Sequence, residues 1–370
     1  MQTVFSRRPD SLPTYAGKYK WLVLLCAALS MGQGSVNISA TIISLPDIAR
    51  DLSLEVALAV WVISGFQLVV TATASSFARL SDMYGREKFF TAGLALYIIA
   101  SLLCGFSQTG VQLIAARMLL GAAYSISWAN ATPLVTDAFP PQQRGRALGL
   151  AVMAPTSGMM IGLVAGGVLT DWFGWRSVFF MTLPVSGIAF IISLFWLVES
   201  GVRVSGQKLD WQGTMLWTSG LVLVLLGLTY VSRAQWDELH TQASFAAGAV
   251  LLLAFFLIEP RVRQPMVDLG LFKNRVFASA NIASLGGLLG STTVQLVLTT
   301  FYFQGLKHYS PLETAVAVIP PSGAFIVFSP LGGVLADRLG TKLPSLGGLA
   351  LAAVGLAWLA LLDADASYPM

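Results

Sequence analysis

Two stretches decide how this chain reads: ARLSDMYGREK, Ala78–Lys88, and GVLADRLGTK, Gly333–Lys342. Each is a short knot of charge between two long apolar runs. Aligning Asp82 with Asp337 also aligns Gly85 with Gly340. The surroundings explain why such loops stand out. Of 370 residues, 55% are hydrophobic and only 11% charged, against about 25% charged in a soluble domain. Mean hydropathy is +0.73. Most of the chain must therefore face something other than water.

A bilayer core about 30 Å thick needs about 20 mainly apolar residues in a helix. Eleven segments qualify: 21–45, 57–78, 89–107, 111–135, 147–169, 177–198, 212–231, 243–259, 277–301, 313–336 and 343–362. They are long, rich in Ala, Leu and Gly, and lack a period of two, so helices rather than strands are expected. The Arg pair in SRRPD, Ser6–Asp10, has the look of a twin-arginine export signal. The apolar run starting at Trp21 outlasts a signal peptide's, so it reads as a first membrane helix.

Basic residues set the orientation. With the amino terminus inside, 17 of the 22 Lys and Arg fall in inside loops and 4 outside, with Arg117 inside a helix. The expected protein is thus multi-pass with a cytoplasmic amino terminus, and both charged loops lie on the cytoplasmic face. The basic residues are spread over short loops, which argues against nucleic acid as a partner. Two cysteines, Cys26 and Cys104, sit in apolar runs and two histidines in separate loops, so neither a disulfide framework nor a metal site is expected. No nucleophile–base pair or phosphate loop points to an enzyme, and no cofactor is implied.

Both charged loops join a helix pair on one face, which suggests two halves of parallel orientation, as in transporters built from repeats. They lie eight segments apart rather than six, so two helices look inserted between the halves. The expected division is an amino-terminal six-helix bundle, 1–200, a two-helix insert, 201–262, and an incomplete carboxy-terminal bundle, 263–370.

At this point the residues resemble the major facilitator superfamily, and within it the fourteen-helix drug:proton antiporter branch. Ala78–Lys88 resembles the family's loop pattern G-x-L-a-D-r-x-G-r, with Ala78 for the leading Gly and Glu87 for one base. Gly333–Lys342 matches it again. AARMLLGAAYS, holding Arg117 and Gly121, resembles the R-x-x-q-G pattern of the fourth helix. GMMIGLVAGG, from Gly158, resembles the exporters' fifth-helix pattern, with Leu163 where Pro is usual. GWRSVFFMTLPVSG from Gly174 and EPRVRQPMVDLGLFKNRVFASAN from Glu259 also resemble that branch.

The resemblance implies an all-α membrane bundle with eleven helices present of fourteen, so the sequence is expected to be a fragment. The implied function is secondary export of amphipathic small molecules by alternating access, coupled to protons in the complete protein. The expected setting is the cell membrane, as a monomer in the lipid bilayer. A truncated or non-transporting membrane protein, such as a sensor, is the alternative.

Roles follow residue by residue. Glycine at 85 and 340 allows a tight turn with positive φ, while Asp82 can pair with Arg86, and Asp137 is a further partner. With Asp337, Arg338 and Gly340 these form an expected conformational latch. Arg117, the one ionisable residue clearly within the bilayer, is a proton-site candidate, although a snorkelling position near the helix end is also open. Gly158, Gly162, Gly166 and Gly167 form a small-residue face for helix packing, either ordinary or at the interface of the halves. Polar lining candidates are Gln33, Asn37, Gln67, Asn130, Asn281, Gln295 and Gln304, each equally readable as an interhelical hydrogen bond. Asn37 stands where the branch carries Asp, so any proton carrier is expected elsewhere, for example at Asp47 or on the absent helices.

Overall fold

The computed structural model describes residues 17–198, 210–231, 238–262, 265, 267–288 and 311–360. Among these there is no strand. The helices are α1 (Tyr19–Asp51), α2 (Val56–Tyr84), α3 (Arg86–Gly105), α4 (Gly110–Ala138), α5 (Arg144–Phe173), α6 (Ser177–Phe180), α7 (Leu183–Trp196), α8 (Trp211–Val231), α9 (Leu239–Ile258), α10 (Arg275–Leu288), α11 (Pro311–Leu339) and α12 (Lys342–Ala360). This is an all-α membrane protein. Among the described residues, eight helical stretches, with α6 and α7 counted as one, are long and apolar enough to cross a bilayer. The expected segment 277–301 is described only to Leu288, as α10. The last two expected segments are α11 and α12.

Several helices outrun their apolar segments. The run 21–45 becomes a helix of 33 residues, about 50 Å long at 1.5 Å per residue, well beyond the hydrocarbon thickness. Backbone hydrogen bonding does not stop where the apolar run ends, so the last turns carry Asp47, Arg50 and Asp51 outside it. The sixth segment is interrupted at 181–182, just before Pro184, which lacks the N–H that a continuous helix would use.

Lipid supplies no hydrophobic drive between helices, so close packing and interhelical hydrogen bonds must hold them. Within α1–α7, α1 packs on α5, and α4 packs on both α2 and α3. Two buried clusters result. One gathers Val23, Leu94, Val135, Ala147 and Ala151 towards the start of α1. The other gathers Ile48, Phe66, Tyr97, Leu113 and Phe179 towards its end. Large apolar side chains such as Trp172 and Phe195 remain exposed, as a lipid-facing surface requires.

Helices α8 and α9 form a hairpin closed through Gly220 and Gly248, with Trp217 stacked obliquely on Phe255 at 5.2 Å. It leans on α2, where Thr218 donates to the Ala72 carbonyl at 3.1 Å. Beyond it, α11 packs chiefly against α5. The helix ends that carry Lys20, Asp82, Arg144 and Asp337 lie together; this is called the basic end below.

Candidate functional site: a charged clamp and a buried arginine

At the basic end, α2 and α3 are joined by the single residue Gly85, whose φ of +112° suits glycine alone. The link leaves Asp82 and Arg86 facing each other. Arg86 Nε donates to Asp82 Oδ1 at 2.6 Å, and its Nη1 donates to Asp137 Oδ2, in the last turn of α4, at 2.8 Å. One guanidinium therefore fastens three helices. All three side chains are about a third to two-fifths exposed, so each pair contributes no more than about 0.2–1 kcal/mol. Its value lies in geometry: it fixes the ends of α2, α3 and α4 relative to one another.

The second loop is used differently. Asp337 accepts the backbone N–H of Gly145 through Oδ1 and that of Arg146 through Oδ2, both at 2.8 Å. It thus caps the first turn of α5, where unpaired N–H groups and the helix dipole favour a carboxylate. The cap is possible because α5 and α11 nearly touch. A Cβ on Gly145 would lie 2.6 Å from the Gly333 carbonyl oxygen, and one on Gly149 would lie 2.7 Å from that of Ser329. Ser329 Oγ adds a hydrogen bond to the Gly149 carbonyl at 3.0 Å. Arg338 and Gly340 are exposed and stand outside this contact, and Gly340 turns the chain with φ of +77°.

Deep in α4, Arg117 is fully buried. The snorkelling position is therefore overturned: the side chain turns inward between α1, α2 and the start of the α6–α7 stretch. Its Nε donates to the Val62 carbonyl at 2.8 Å, Nη1 contacts Asn37 Oδ1, and the guanidinium carbon lies 4.7 Å from the Phe66 ring centre and 5.8 Å from that of Phe179. Arg117 Nη2 and Asn37 Nδ2 have no hydrogen-bond partner. Among the described residues no carboxylate forms an ion pair with this cation.

Three expected lining residues prove to be inside the amino-terminal helices rather than on an open surface. Asn37 lies under Arg117. Gln33 accepts from Ser186 Oγ at 2.6 Å. Asn130 donates along its own helix to the Ile126 carbonyl at 2.7 Å. All three are at most 1% exposed. Each is satisfied on one side only: Gln33 Nε2, Asn37 Nδ2 and Asn130 Oδ1 have no hydrogen-bond partner. Gln67 on α2 and Asn281 on α10 are exposed, and Asn281 donates to Phe277 at 2.9 Å. Gln295 and Gln304 lie outside the described residues.

The glycine face also finds a different partner from the interface of the halves. A Cβ on Gly158 would meet the Gly32 carbonyl oxygen at 2.5 Å, one on Gly162 the Val36 carbonyl oxygen at 2.3 Å, and one on Gly166 the Ala40 Cα at 2.7 Å. The face packs on α1, inside the same half. Gly167 has nothing within 4 Å and is off that face. The approach of α5 to α11 instead uses Gly145, Gly149 and Gly333, of which only Gly333, the first residue of the second charged loop, stands in a recognised motif.

A clamp at the opposite end went unread in the sequence. Asp51 Oδ2 accepts from Trp175 Nε1 at 2.9 Å and Arg176 Nη1 at 2.8 Å, while Arg176 Nη2 donates to the Ser107 carbonyl at 3.2 Å. The adjacent cleft, of about 480 Å³, is lined by Asp47, Arg50, Asp51, Thr170, Phe173, Gly174, Trp175 and Arg176. A Trp-Arg pair in a loop, with Asp47 and Asp51 after the first apolar run, was the available signal. Asp47 itself pairs with Arg50 at 3.1 Å. Among the described residues, no group of three His, Cys, Asp or Glu could hold a metal ion.

Comparison with known proteins puts these features in context. The chain is 29% identical over 349 residues to the riboflavin transporter RibZ of Clostridioides difficile, covering 94% of this chain and 75% of that one. It is 29% identical over 337 residues to the multidrug resistance protein Stp of Mycobacterium tuberculosis, covering 90% and 62%. It is 27% identical over 345 residues to the tetracenomycin C resistance and export protein of Streptomyces glaucescens, covering 93% and 64%. The chain thus spans three quarters of the first relative's length and less than two thirds of the other two. The Major Facilitator Superfamily profile matches residues 23–369, nearly the whole chain. With an all-helical bundle and a repeated charged loop, the chain belongs to the Major Facilitator Superfamily.

Proposed function

We propose that this chain belongs to a secondary exporter of amphipathic small molecules, with an amino-terminal bundle, an inserted hairpin and helices of a second bundle, working by alternating access in the cell membrane. The relatives named for drug resistance and for riboflavin transport support a small-molecule cargo. The 17-to-4 split of basic residues supports a cytoplasmic basic end.

One observation carries the reading: Asp337 of α11 caps α5, binding the two halves at the basic end while α5 and α11 approach to backbone contact. A close contact held by three hydrogen bonds, two to Asp337 and one from Ser329, suits an interface that must open. The Asp82–Arg86–Asp137 triad acts as its foundation, holding α2, α3 and α4 as one rigid end. Arg117 is kept at depth despite the cost of a membrane-buried charge, which supports a role in the transport cycle. The export is taken to be proton-coupled, with a carrier other than Asn37, whose amide does not titrate.

The test is a reversible lock. Cysteines at Gly149 and Ser329 are oxidised to a crosslink between α5 and α11. Dye efflux is expected to stop and to return on reduction. Efflux at the parent rate with the crosslink complete sinks the proposal.

A further inference from the structure

Beside the clamp lies a second feature that neither gating nor cargo explains. A cleft of about 210 Å³ opens between the start of α1 and the start of α5, lined by Lys20, Trp21, Phe139, Gln143, Arg146 and Ala147. It is smaller than pockets for drug-sized ligands, which run about 300–1,000 Å³. Its walls are built by mutual contacts. Trp21 meets Phe139 edge-on at 5.6 Å. Lys20 Nζ sits 5.7 Å from the Phe139 ring centre and donates to Gln143 Oε1 at 2.8 Å. The Arg146 guanidinium carbon sits 6.0 Å from the Trp21 ring centre. The lining holds two cations and no carboxylate. Among the described residues neither cation forms an ion pair. Asp337, at the same helix end, is engaged by the backbone N–H groups of Gly145 and Arg146.

Position separates a lipid from a soluble anion. The cleft lies where the apolar run of α1 begins, at the level where aromatic rings mark the membrane–water boundary. Trp21 is 43% exposed and Leu25, one turn further along the same face, 46%. An apolar lane therefore leads from the cations into the bilayer. Basic pockets between helices near this boundary suit anionic headgroups, and a guanidinium matches phosphate oxygens in a fork.

We propose that this cleft seats the phosphate of an anionic phospholipid, with Lys20 and Arg146 as its ligands, Trp21 and Phe139 as its walls and the acyl chains along Leu25. Because Arg146 holds the lipid through its side chain and Asp337 through its backbone, the bound lipid stabilises the clamped basic end. The binding itself requires only a membrane-spanning bundle, so it stands apart from the export reading.

The protein is reconstituted in nanodiscs of equal phosphatidylglycerol and phosphatidylcholine, extracted gently, and its retained lipids counted by native mass spectrometry. Phosphatidylglycerol is expected to be enriched. The enrichment should fall about tenfold in the Lys20→Gln, Arg146→Gln double variant and persist in Lys20→Arg, Arg146→Lys. It should also persist in Arg261→Gln, Lys273→Gln, which removes the same charge elsewhere. A neutral double variant that keeps the enrichment, or a matched control that loses it equally, overturns the proposal. Displacement of the lipid by excess inorganic phosphate also overturns it, since the site would then take the free anion. If the neutral variant fails to fold, photoactivatable phosphatidylglycerol decides on the unmutated protein. Crosslinks must fall on residues 20–25 or 139–147, and crosslinks confined elsewhere refute it.

Discussion

Replacing Asp337 by Ala is predicted to loosen the basic end without unfolding the bundle. The residue supplies two hydrogen bonds to backbone N–H groups, both at 2.8 Å. Bonds to a charged group contribute about 1.5–3 kcal/mol each when well shielded. Asp337 is only partly buried, so solvent screening brings each bond down to about 1–1.5 kcal/mol, and about 2–3 kcal/mol is a fair total. In the proposed cycle the α5–α11 contact exists only in the closed state, so its loss shifts the closed–open equilibrium by about 30- to 150-fold. If the parent is open about 1% of the time, the variant becomes roughly a quarter to somewhat over half open. Spin labels at Gln142 and Thr341, exposed sites on the two sides of the contact, report this by pulsed distance measurement. The native Cys26 and Cys104 are buried and need not be removed. The parent should give one short distance and Asp337→Ala an added longer one. Asp337→Asn, which keeps an acceptor, should shift the equilibrium by only about fivefold. An unchanged distribution in a folded Asp337→Ala protein refutes the clamp, as does an Asn variant no different from Ala.

Other predictions test separate links of the argument. Gly149→Val should open the same end sterically, since even its Cβ meets the Ser329 carbonyl oxygen at 2.7 Å; an unchanged label distance would count against the α5–α11 contact. Gly162→Ala should lower thermal stability by about 1–3 kcal/mol through overpacking against α1, whereas Gly167→Ala, with nothing within 4 Å, should not; equal melting temperatures would contradict the assignment of the glycine face. Asn37→Ala removes a side-chain acceptor from a buried guanidinium and should cost about 1.5–3 kcal/mol of stability, while Asn37→Asp should not; a stable, unshifted Ala variant would show that Arg117 does not depend on Asn37. Single cysteines at Lys88 and Gln108 should label from opposite faces of the membrane, and labelling from one face would overturn the orientation.

Much was legible in one dimension because the bilayer imposes one-dimensional rules. A helix must stay apolar for about 20 residues, so the first eight expected spans recur among the described residues as helices able to cross a bilayer, and charge other than Arg117 gathers near helix ends, so the loops announced themselves. The Asp-x-x-Gly repeat needed only alignment, and positive φ at Gly85 and Gly340 follows from what glycine alone tolerates. Which face of a helix meets which neighbour is a different kind of fact. Asn37 and a cavity-lining Asn have the same letter; only the packing of α1 against α4 puts this one beneath Arg117. The glycines of α5 mark a close approach, but only the tertiary structure says that Gly158, Gly162 and Gly166 approach α1 while Gly145 and Gly149 approach α11. The two aspartates make the point most sharply. Asp82 and Asp337 occupy equivalent positions in matching loops, yet Asp82 bonds to Arg86 four residues on and Asp337 caps α5, about 190 residues earlier in the chain. The sequence determines what each carboxylate can accept. The direction from which the donor arrives is set by helix crossings built from residues scattered along the whole chain, and no local stretch contains it.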